Sequence, residues 1–222
     1  MREVTSPCEA ESRSVVAAFD FDGTLTQGDT LLPFLRRSLG LPRFIWALCL
    51  SGPWLAGFAL RLVSNHRAKA RLLQVSLAGL SQHDAQAQAQ AFITDYLPTR
   101  WCPWGMAQLL QHQQMGHRCI IVSASPGLYL HEIGKSLGIK DVLCTEMQLT
   151  GTRYTGLMAT PNCHGEEKVR RLKNWLAVEM GAHAAPVLHA YGDTSGDQPM
   201  LRLANVAWYR QKPWSDVTHK AR

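Results

Sequence analysis

The sequence lacks the cysteine and histidine spacings that are typical of zinc sites. None of its six cysteines forms a Cys-x-x-Cys pair, and none of its nine histidines forms a His-x-x-x-His pair. Several cysteines lie within apolar segments, which is typical of reduced, buried thiols in a cytosolic protein rather than of a disulfide framework. We therefore expect reduced thiols, no zinc site and a cytoplasmic protein.

Residues 1–14 also lack the hydrophobic core that is typical of a signal peptide, and no apolar segment is long enough to span a membrane. Residues 1–14 have little apolar content, and we interpret them as a flexible extension of a protein that is not secreted. The segment Phe44–Leu60 is uncharged over 17 residues but contains Gly52 and Pro53, whereas a membrane span needs about 20 apolar residues. We expect two short helices broken at Pro53 that form a buried hairpin. The arginines that flank them leave another interpretation open, in which the segment lies against an anionic bilayer, peripheral to the inner membrane.

Internal repeats and low-complexity segments are missing as well, so the chain has the character of an ordinary globular protein. The hydrophobic fraction is 46% and the charged fraction is 18%, values that argue against wholesale disorder. The net charge of +6 favours an anionic partner, such as a phosphorylated metabolite, an acidic membrane surface or nucleic acid. Packing in the core explains the tryptophans better than stacking on bases, and we expect no nucleic-acid partner.

Apolar strands alternate with helices along the chain, which predicts an α/β fold with a Rossmann-like, doubly wound parallel sheet. The predicted strands are 15–21, 119–122, 141–144, 187–191 and 206–209. Helices are expected at about 127–137 and 166–180, and an alternating segment at 146–158 predicts a β-hairpin.

The helical block between the first two strands is too long for a simple crossover. We interpret residues 31–100 as an inserted helical cap, and residues 15–30 and 101–222 as the α/β core. Ligands of such sheets bind at the carboxyl ends of the strands, so polar turns at those ends are candidates for one site.

Two carboxylates and a hydroxyl follow the first strand, at Asp20, Asp22 and Thr24. One carboxylate can attack a phosphoryl group while the other transfers the proton, with a divalent cation near both. Asp193 and Asp197 follow a later strand, and carboxylates are ligands that Mg²⁺ prefers. The sequence therefore predicts a Mg²⁺ site at the sheet edge.

Two further residues complete the pattern for phosphoryl transfer. Ser123 ends the second strand, where its hydroxyl and neighbouring backbone N–H groups can hold phosphoryl oxygens. Lys168, near the start of a helix, adds a positive charge where carboxylates would otherwise repel one another. Each of these residues alone is common in solvated turns and helix caps; their occurrence together at the ends of predicted elements favours a catalytic site.

With these residues, the chain resembles the haloacid-dehalogenase-type phosphatase superfamily. The four motifs of that superfamily correspond here to Asp20–Thr24, Ser123, Lys168 and Gly192–Asp197. The long helical insertion after the first motif is similar to the phosphoserine-phosphatase-like branch. That branch includes histidinol-phosphate phosphatases and bacterial phosphatidylglycerophosphate phosphatases.

The resemblance implies catalytic roles for the two acids of the first motif. Asp20 would be the nucleophile that forms an aspartyl-phosphate. Asp22 would protonate the leaving alcohol and then activate the hydrolytic water. The Asp20 side chain, the Asp22 backbone carbonyl and Asp193 would ligate Mg²⁺, with Asp197 assisting. Thr24 would support the turn.

The resemblance also implies where the phosphoryl group binds. Ser123 and Ala124 would hold it, and Lys168 would bridge the nucleophile and the phosphate. The expected substrate is a small phosphorylated metabolite or a phospholipid headgroup such as phosphatidylglycerophosphate. Two alternatives are a regulator that only binds phosphate and a phosphotransferase. Asp29 could belong to the substrate site, but we interpret it as a helix N-cap ahead of Leu31.

Overall fold

A computed structural model describes residues 14–181 and 185–215. The elements in chain order are β1 (Val15–Phe19), α1 (Leu31–Ala59), α2 (Asn65–Leu77), α3 (Gln82–Asp95), α4 (Pro103–Gln114), β2 (Arg118–Pro126), α5 (Gly127–Ser136), β3 (Asp141–Thr145), β4 (Met147–Thr150), β5 (Arg153–Met158), α6 (Glu166–Glu179), β6 (Val187–Gly192), α7 (Gln198–Leu203), β7 (Val206–Tyr209) and β8 (Lys212–Pro213). Short 3₁₀ turns cover Leu97–Thr99 and Ser195–Asp197. The predicted extension at 1–14 lies outside the described residues, apart from Ser14.

The central sheet has six strands in the order β3-β2-β1-β6-β7-β8, with β8 alone antiparallel to its neighbour. Side chains of β1 alternate between two cores: Ala17 and Phe19 belong to one, and Val16 and Ala18 to the other. Because both faces of the strand are buried, it reads as an uninterrupted apolar run. The predicted α/β fold with a doubly covered, mostly parallel sheet is confirmed.

Three helices, α1 to α3, lie between the first strand and α4, in the region predicted to be the cap. The two-stranded β4–β5 hairpin pairs with this region instead of with the central sheet. The backbone N–H of Tyr154 donates to the carbonyl of Leu80 at 2.8 Å, and the backbone carbonyl of Tyr154 accepts from the N–H of Gly79 at 2.9 Å. The assignment of residues 31–100 to a separate cap stays a prediction.

The prediction of two short helices broken at Pro53 is wrong. α1 runs through Pro53, and its backbone departs from helical geometry only at Gly40, where φ is 70°. A proline removes one backbone hydrogen bond, here the bond to the carbonyl of Cys49, and Cys49 is exposed. Water can hydrate that carbonyl, so the helix tolerates Pro53. The positive φ that glycine permits makes Gly40 the break.

The prediction that this segment is buried is also wrong. Trp46 is 64% exposed and Ile45 is 50% exposed, while Ala47 and Ser51 face inward. The described cysteines carry no disulfide; four of them are buried as expected, and Cys49 on α1 is exposed. No helix of residues 14–181 and 185–215 has both the length and the hydropathy that crossing a membrane requires.

Candidate active site

The carboxyl ends of β1, β2 and β6 bring the predicted site residues to one edge of the sheet. β1 lies between β2 and β6 in parallel register, with Phe19 opposite Ile121 and Tyr191. The backbone N–H of Asp20 donates to the carbonyl of Tyr191 at 2.9 Å, which extends the β1–β6 pairing to the first acid. The backbone of Asp20 is therefore fixed at the point where the chain leaves β1.

Lys168 lies between two carboxylates at this edge. Its Nζ donates to Asp20 Oδ1 at 2.5 Å and to Asp197 Oδ1 at 2.6 Å, and the lysine is 1% exposed. Burial opposes the charge of Lys168, but the two carboxylates raise its pKa above the ordinary value, so it is a cation at neutral pH. Burial, with the charge of Asp197, raises the pKa of Asp20 well above its usual range, while Lys168 lowers that pKa.

Asp22 is held by three hydrogen bonds from neighbouring residues. Its Oδ1 accepts from the Thr30 N–H at 2.7 Å and the Thr30 hydroxyl at 2.6 Å, and its Oδ2 accepts from the Ser125 hydroxyl. Burial, followed by the charge of Asp29, raises the pKa of Asp22. A carboxyl group with a raised pKa, held at a fixed angle, is suited to carry and release a proton.

The loop after β6 brings the last two acids to the site. Asp197 Oδ2 accepts from the backbone N–H groups of Asp193 at 3.2 Å and Thr194 at 2.9 Å, and from the Thr194 hydroxyl at 2.7 Å. Asp197 thus fastens this loop to Lys168. Asp193 lies beside the first motif: Thr24 Oγ1 donates to its Oδ1 at 3.4 Å, and a Cβ at Gly23 would lie 2.1 Å from its Oδ2. Gly23, with φ of 82°, is required both by the turn and by this close approach.

Ser123 and Ala124 lie near the carboxyl end of β2, beside these acids. Ser123 is 1% exposed, and its Oγ accepts from the Ser125 N–H at 3.1 Å. The carbonyl of Ala124 accepts from Lys69 Nζ at 2.7 Å and from the Thr145 hydroxyl at 2.8 Å. Ser123 and Ala124 line one cavity of about 510 Å³ together with Asp20.

The donor set fits a hard divalent cation. One carboxylate oxygen from each of Asp20, Asp193 and Asp197 can be chosen so that all three lie within 4.8 Å of one another. Three carboxylates face one buried lysine, which leaves an excess of negative charge. Burial, and after it the charge of Asp197, raises the pKa of Asp193 to about 6. Oxygen-only ligands in this arrangement suit Mg²⁺.

A known protein family matches a part of the chain that contains the same residues. The family described as haloacid dehalogenase-like hydrolase matches residues 17–202, which include every candidate residue named above. The chain belongs to this family. It is 30% identical over 197 residues to Protein CicA of Caulobacter vibrioides, an alignment that covers 88% of this chain and 86% of CicA.

Solved structures show the same fold as this haloacid dehalogenase-like hydrolase. A protein of unknown function from Bordetella pertussis superimposes with a TM-score of 0.73 at 22% identity, covering 88% of this chain and 89% of that one. A phospho-aspartyl intermediate analogue of phosphoserine phosphatase superimposes with a TM-score of 0.59 at 14% identity, covering 88% and 86%. The predicted resemblance to the phosphoserine-phosphatase-like branch is confirmed at the level of fold.

Sequence reasoning missed several polar side chains that this hydrolase brings to the cavity. Lys69 reaches it from α2, and Asn162 and His164 reach it from the loop before α6. Burial lowers the pKa of Lys69, and Asp22 opposes that effect most strongly among the neighbouring charges. Only the basic character of the sequence around Lys69 was visible beforehand, because its place depends on how α2 packs.

Asp29 lies one residue before Thr30, the N-cap of α1, and takes over the capping contact that was predicted for an N-cap side chain. Its Oδ1 accepts from the Leu31 N–H at 3.0 Å and the Leu32 N–H at 3.4 Å, so it caps the start of α1. The same residue also lines the cavity.

A second group of potential metal ligands in the hydrolase lies away from this cavity, at His131, Cys144 and Glu146. Glu146 Oε1 accepts from His131 Nε2 at 2.9 Å and from Cys144 Sγ at 3.2 Å. These mutual hydrogen bonds account for the cluster.

Proposed function

We propose that the chain is a Mg²⁺-dependent phosphomonoester hydrolase that works through an aspartyl-phosphate on Asp20. The observation that carries this proposal is the pairing of buried Asp20 with Lys168 at 2.5 Å, beside the separately held Asp22. Membership of a hydrolase family supports it. The substrate is a phosphomonoester, either a small metabolite or a lipid headgroup.

The positions of these residues support two chemical steps. Asp20 attacks the phosphorus, the bond from phosphorus to the ester oxygen breaks, and Asp22 gives its proton to the leaving alcohol. Asp22 then takes a proton from water as the water attacks the phosphorus, which releases inorganic phosphate and restores the Asp20 carboxylate. Lys168 holds the nucleophile, and Ser123 binds phosphoryl oxygens.

Mg²⁺ would be held by Asp20, Asp193 and the backbone carbonyl of Asp22. It would neutralise charge on the phosphoryl oxygens and so lower the repulsion between an anionic nucleophile and an anionic substrate. Both oxygens of Asp197 already accept from protein donors, which favours an indirect role for Asp197, such as contact through water.

Removal of the metal tests the proposal directly. Phosphate release from a panel of soluble phosphomonoesters and phosphatidylglycerophosphate should fall by at least about a hundredfold after chelation, because the metal supplies several kcal/mol of charge stabilisation. Added Mg²⁺ should restore it. Absence of release from every ester with Mg²⁺ present would support a phosphate-binding regulator instead. Release of alcohol in excess of phosphate when an acceptor alcohol is added would identify a phosphotransferase.

Lys69 is expected to bind the substrate phosphate or its neighbouring groups. Replacing it in Lys69→Met should raise KM about tenfold while kcat changes less than threefold, since a charge-assisted hydrogen bond contributes about 1.5–3 kcal/mol. Steady-state kinetics with a soluble ester measures the split. Lys140→Met, on an exposed loop, is the matched control and should leave both constants unchanged. An unchanged KM in Lys69→Met would exclude this role.

A further inference from the structure

The outer face of α1 carries a row of exposed apolar side chains. Trp46, Leu50, Trp54 and Phe58 follow one another at four-residue intervals and are 64%, 37%, 39% and 44% exposed. Residues at this spacing line one side of a helix. Ile45, 50% exposed, lies about 100° around the helix from Trp46 and extends the exposed apolar surface beyond the row. We call these five side chains the α1 apolar face.

A patch of this kind is unusual, because single exposed apolar residues are common on folded proteins but contiguous rows of large ones mark an interaction surface. Exposed apolar residues outside this region include Leu110 on α4 and Val178 on α6. The face is not a membrane span, because no described helix meets the requirements for one. A helix with one apolar face and basic surroundings is typical of a segment that lies in the plane of a bilayer surface.

The charged residues that flank the face in sequence have one sign. From Thr30 to His83 the sequence contains no Asp or Glu and seven Lys or Arg residues, so this segment alone carries +7, more than the net charge of the chain. The exposed cations of this segment are Arg36, Arg37, Arg43, Arg61 and Arg67. Three of them precede the apolar face in sequence, and two follow it. A rim of cations is complementary to an anionic surface, and it disfavours a second copy that brings the same charge.

The face continues into the candidate active site. Phe58 belongs both to the α1 apolar face and to the lining of the cavity that contains Asp20 and Asp22, and Leu32 and Leu55 line the same cavity. A second cavity, of about 620 Å³, lies beside the N-terminal half of α1 and combines Arg36 and Arg37 with apolar side chains. A phosphate-bearing molecule with acyl chains would find cations and apolar side chains together here.

We propose that the α1 apolar face lies on an anionic lipid bilayer, and that this contact presents a phosphomonoester lipid to Asp20. The proposal has a docking half, the contact of the α1 apolar face with the bilayer, and a substrate half, the presentation of a phosphomonoester lipid to Asp20. The substrate half rests on the proposed function, and the docking half does not. Apolar side chains enter the boundary between headgroups and acyl chains, and the arginines contact anionic headgroups. Because the cavity shares Phe58 with the face, the substrate phosphate reaches the site without leaving the membrane surface.

Sedimentation with vesicles tests the docking half without any substrate. The wild-type protein should pellet with vesicles of phosphatidylcholine and phosphatidylglycerol, should pellet at least tenfold less with phosphatidylcholine alone, and should be released by high salt. Trp46→Glu combined with Trp54→Glu should lower the bound fraction at least tenfold. The matched control is Leu110→Glu combined with Val178→Glu, on exposed apolar residues elsewhere, and it should bind like the wild type. Thermal melting confirms that both variants fold.

Three outcomes would overturn the docking half. One is equal binding of anionic vesicles by the wild type and the Trp46→Glu/Trp54→Glu variant, and another is no binding by either. The third is a wild-type dimer that this variant abolishes, measured by sedimentation velocity without lipid, with no vesicle binding; it would assign the face to self-association.

Measurements of turnover distinguish failure of the substrate half from failure of the proposed function. A long-chain phosphomonoester in anionic vesicles should be hydrolysed at least tenfold faster by the wild type than by Trp46→Glu/Trp54→Glu. A short-chain soluble ester should be hydrolysed equally by both. Equal rates on the vesicle substrate would overturn the lipid assignment. Failure of the proposed function shows itself differently, as no hydrolysis of either ester while vesicle binding persists.

Discussion

Asp20→Asn should abolish phosphate release while leaving the protein folded. The carboxylate of Asp20 is the nucleophile of the proposed reaction, and an amide of the same shape cannot form the acyl-phosphate bond. Removal of a nucleophile typically costs about 10⁴-fold or more in kcat, and we expect a loss of that order here. Rapid acid quench with a radiolabelled ester gives a second readout, because the wild type should trap a hydroxylamine-sensitive phosphoprotein that the variant lacks.

The control for this variant is Asp95→Asn, which makes the same chemical change on an exposed part of α3. It should keep wild-type turnover and the phosphoprotein signal. Asp20→Asn should also retain a cooperative melting transition, because asparagine fills the same space beside Lys168. Wild-type turnover by folded Asp20→Asn would show that the nucleophile is a different residue.

The convergence of the site residues was predictable from the sequence because of parallel-sheet geometry. Asp20 and Asp193 each follow an apolar strand, Ser123 lies near the carboxyl end of another, and β1, β2 and β6 prove to be neighbours in parallel register. Carboxyl ends of adjacent parallel strands meet at one edge, so side chains distant in sequence come together there. The place of Lys168 was predictable on electrostatic grounds, because a buried cluster of acids requires a cation.

The path and exposure of α1 were not predictable in the same way. The sequence shows an uncharged segment with Gly52-Pro53 near its centre, which describes a buried hairpin and a surface helix equally well. The deciding facts are tertiary: α1 continues through Pro53, and its outer face is exposed, with the guanidinium of Arg71 from α2 over the Trp54 ring. Hydrophobic composition indicates what a segment can bury against, but it does not supply the partner.

The residues that hold Asp22 were missed for a related reason. Thr30 is eight positions after Asp22, and Ser125 comes from another strand, so neither contact follows from local spacing. Lys69 depends on the placement of α2 over the sheet edge. Motifs thus identify the groups that react, while the groups that orient them depend on packing between elements.

Lys168→Met should destabilise the protein as well as inactivate it. The substitution leaves the carboxylates of Asp20 and Asp197 buried without the cation that both now contact, at 2.5 Å and 2.6 Å. Loss of one partner from a buried ion pair costs about 3–5 kcal/mol. For a protein of this size that corresponds to a fall in melting temperature of roughly 6–20 °C, measured by calorimetry without added Mg²⁺.

A double-mutant cycle distinguishes an electrostatic cause from simple loss of packing. If the unpaired charge of Asp197 is responsible, Asp197→Asn in the Lys168→Met background should recover part of the lost stability, because it removes one stranded carboxylate. If methionine merely packs poorly, the second substitution adds its own cost and nothing is recovered. Lys135→Met is the matched control: its ion pair with Glu132 is at the surface, where such pairs contribute about 0–1 kcal/mol. Melting of Lys168→Met at the wild-type temperature would show that the two carboxylates are neutral or hydrated in the folded protein. Lys168 would then act in catalysis alone.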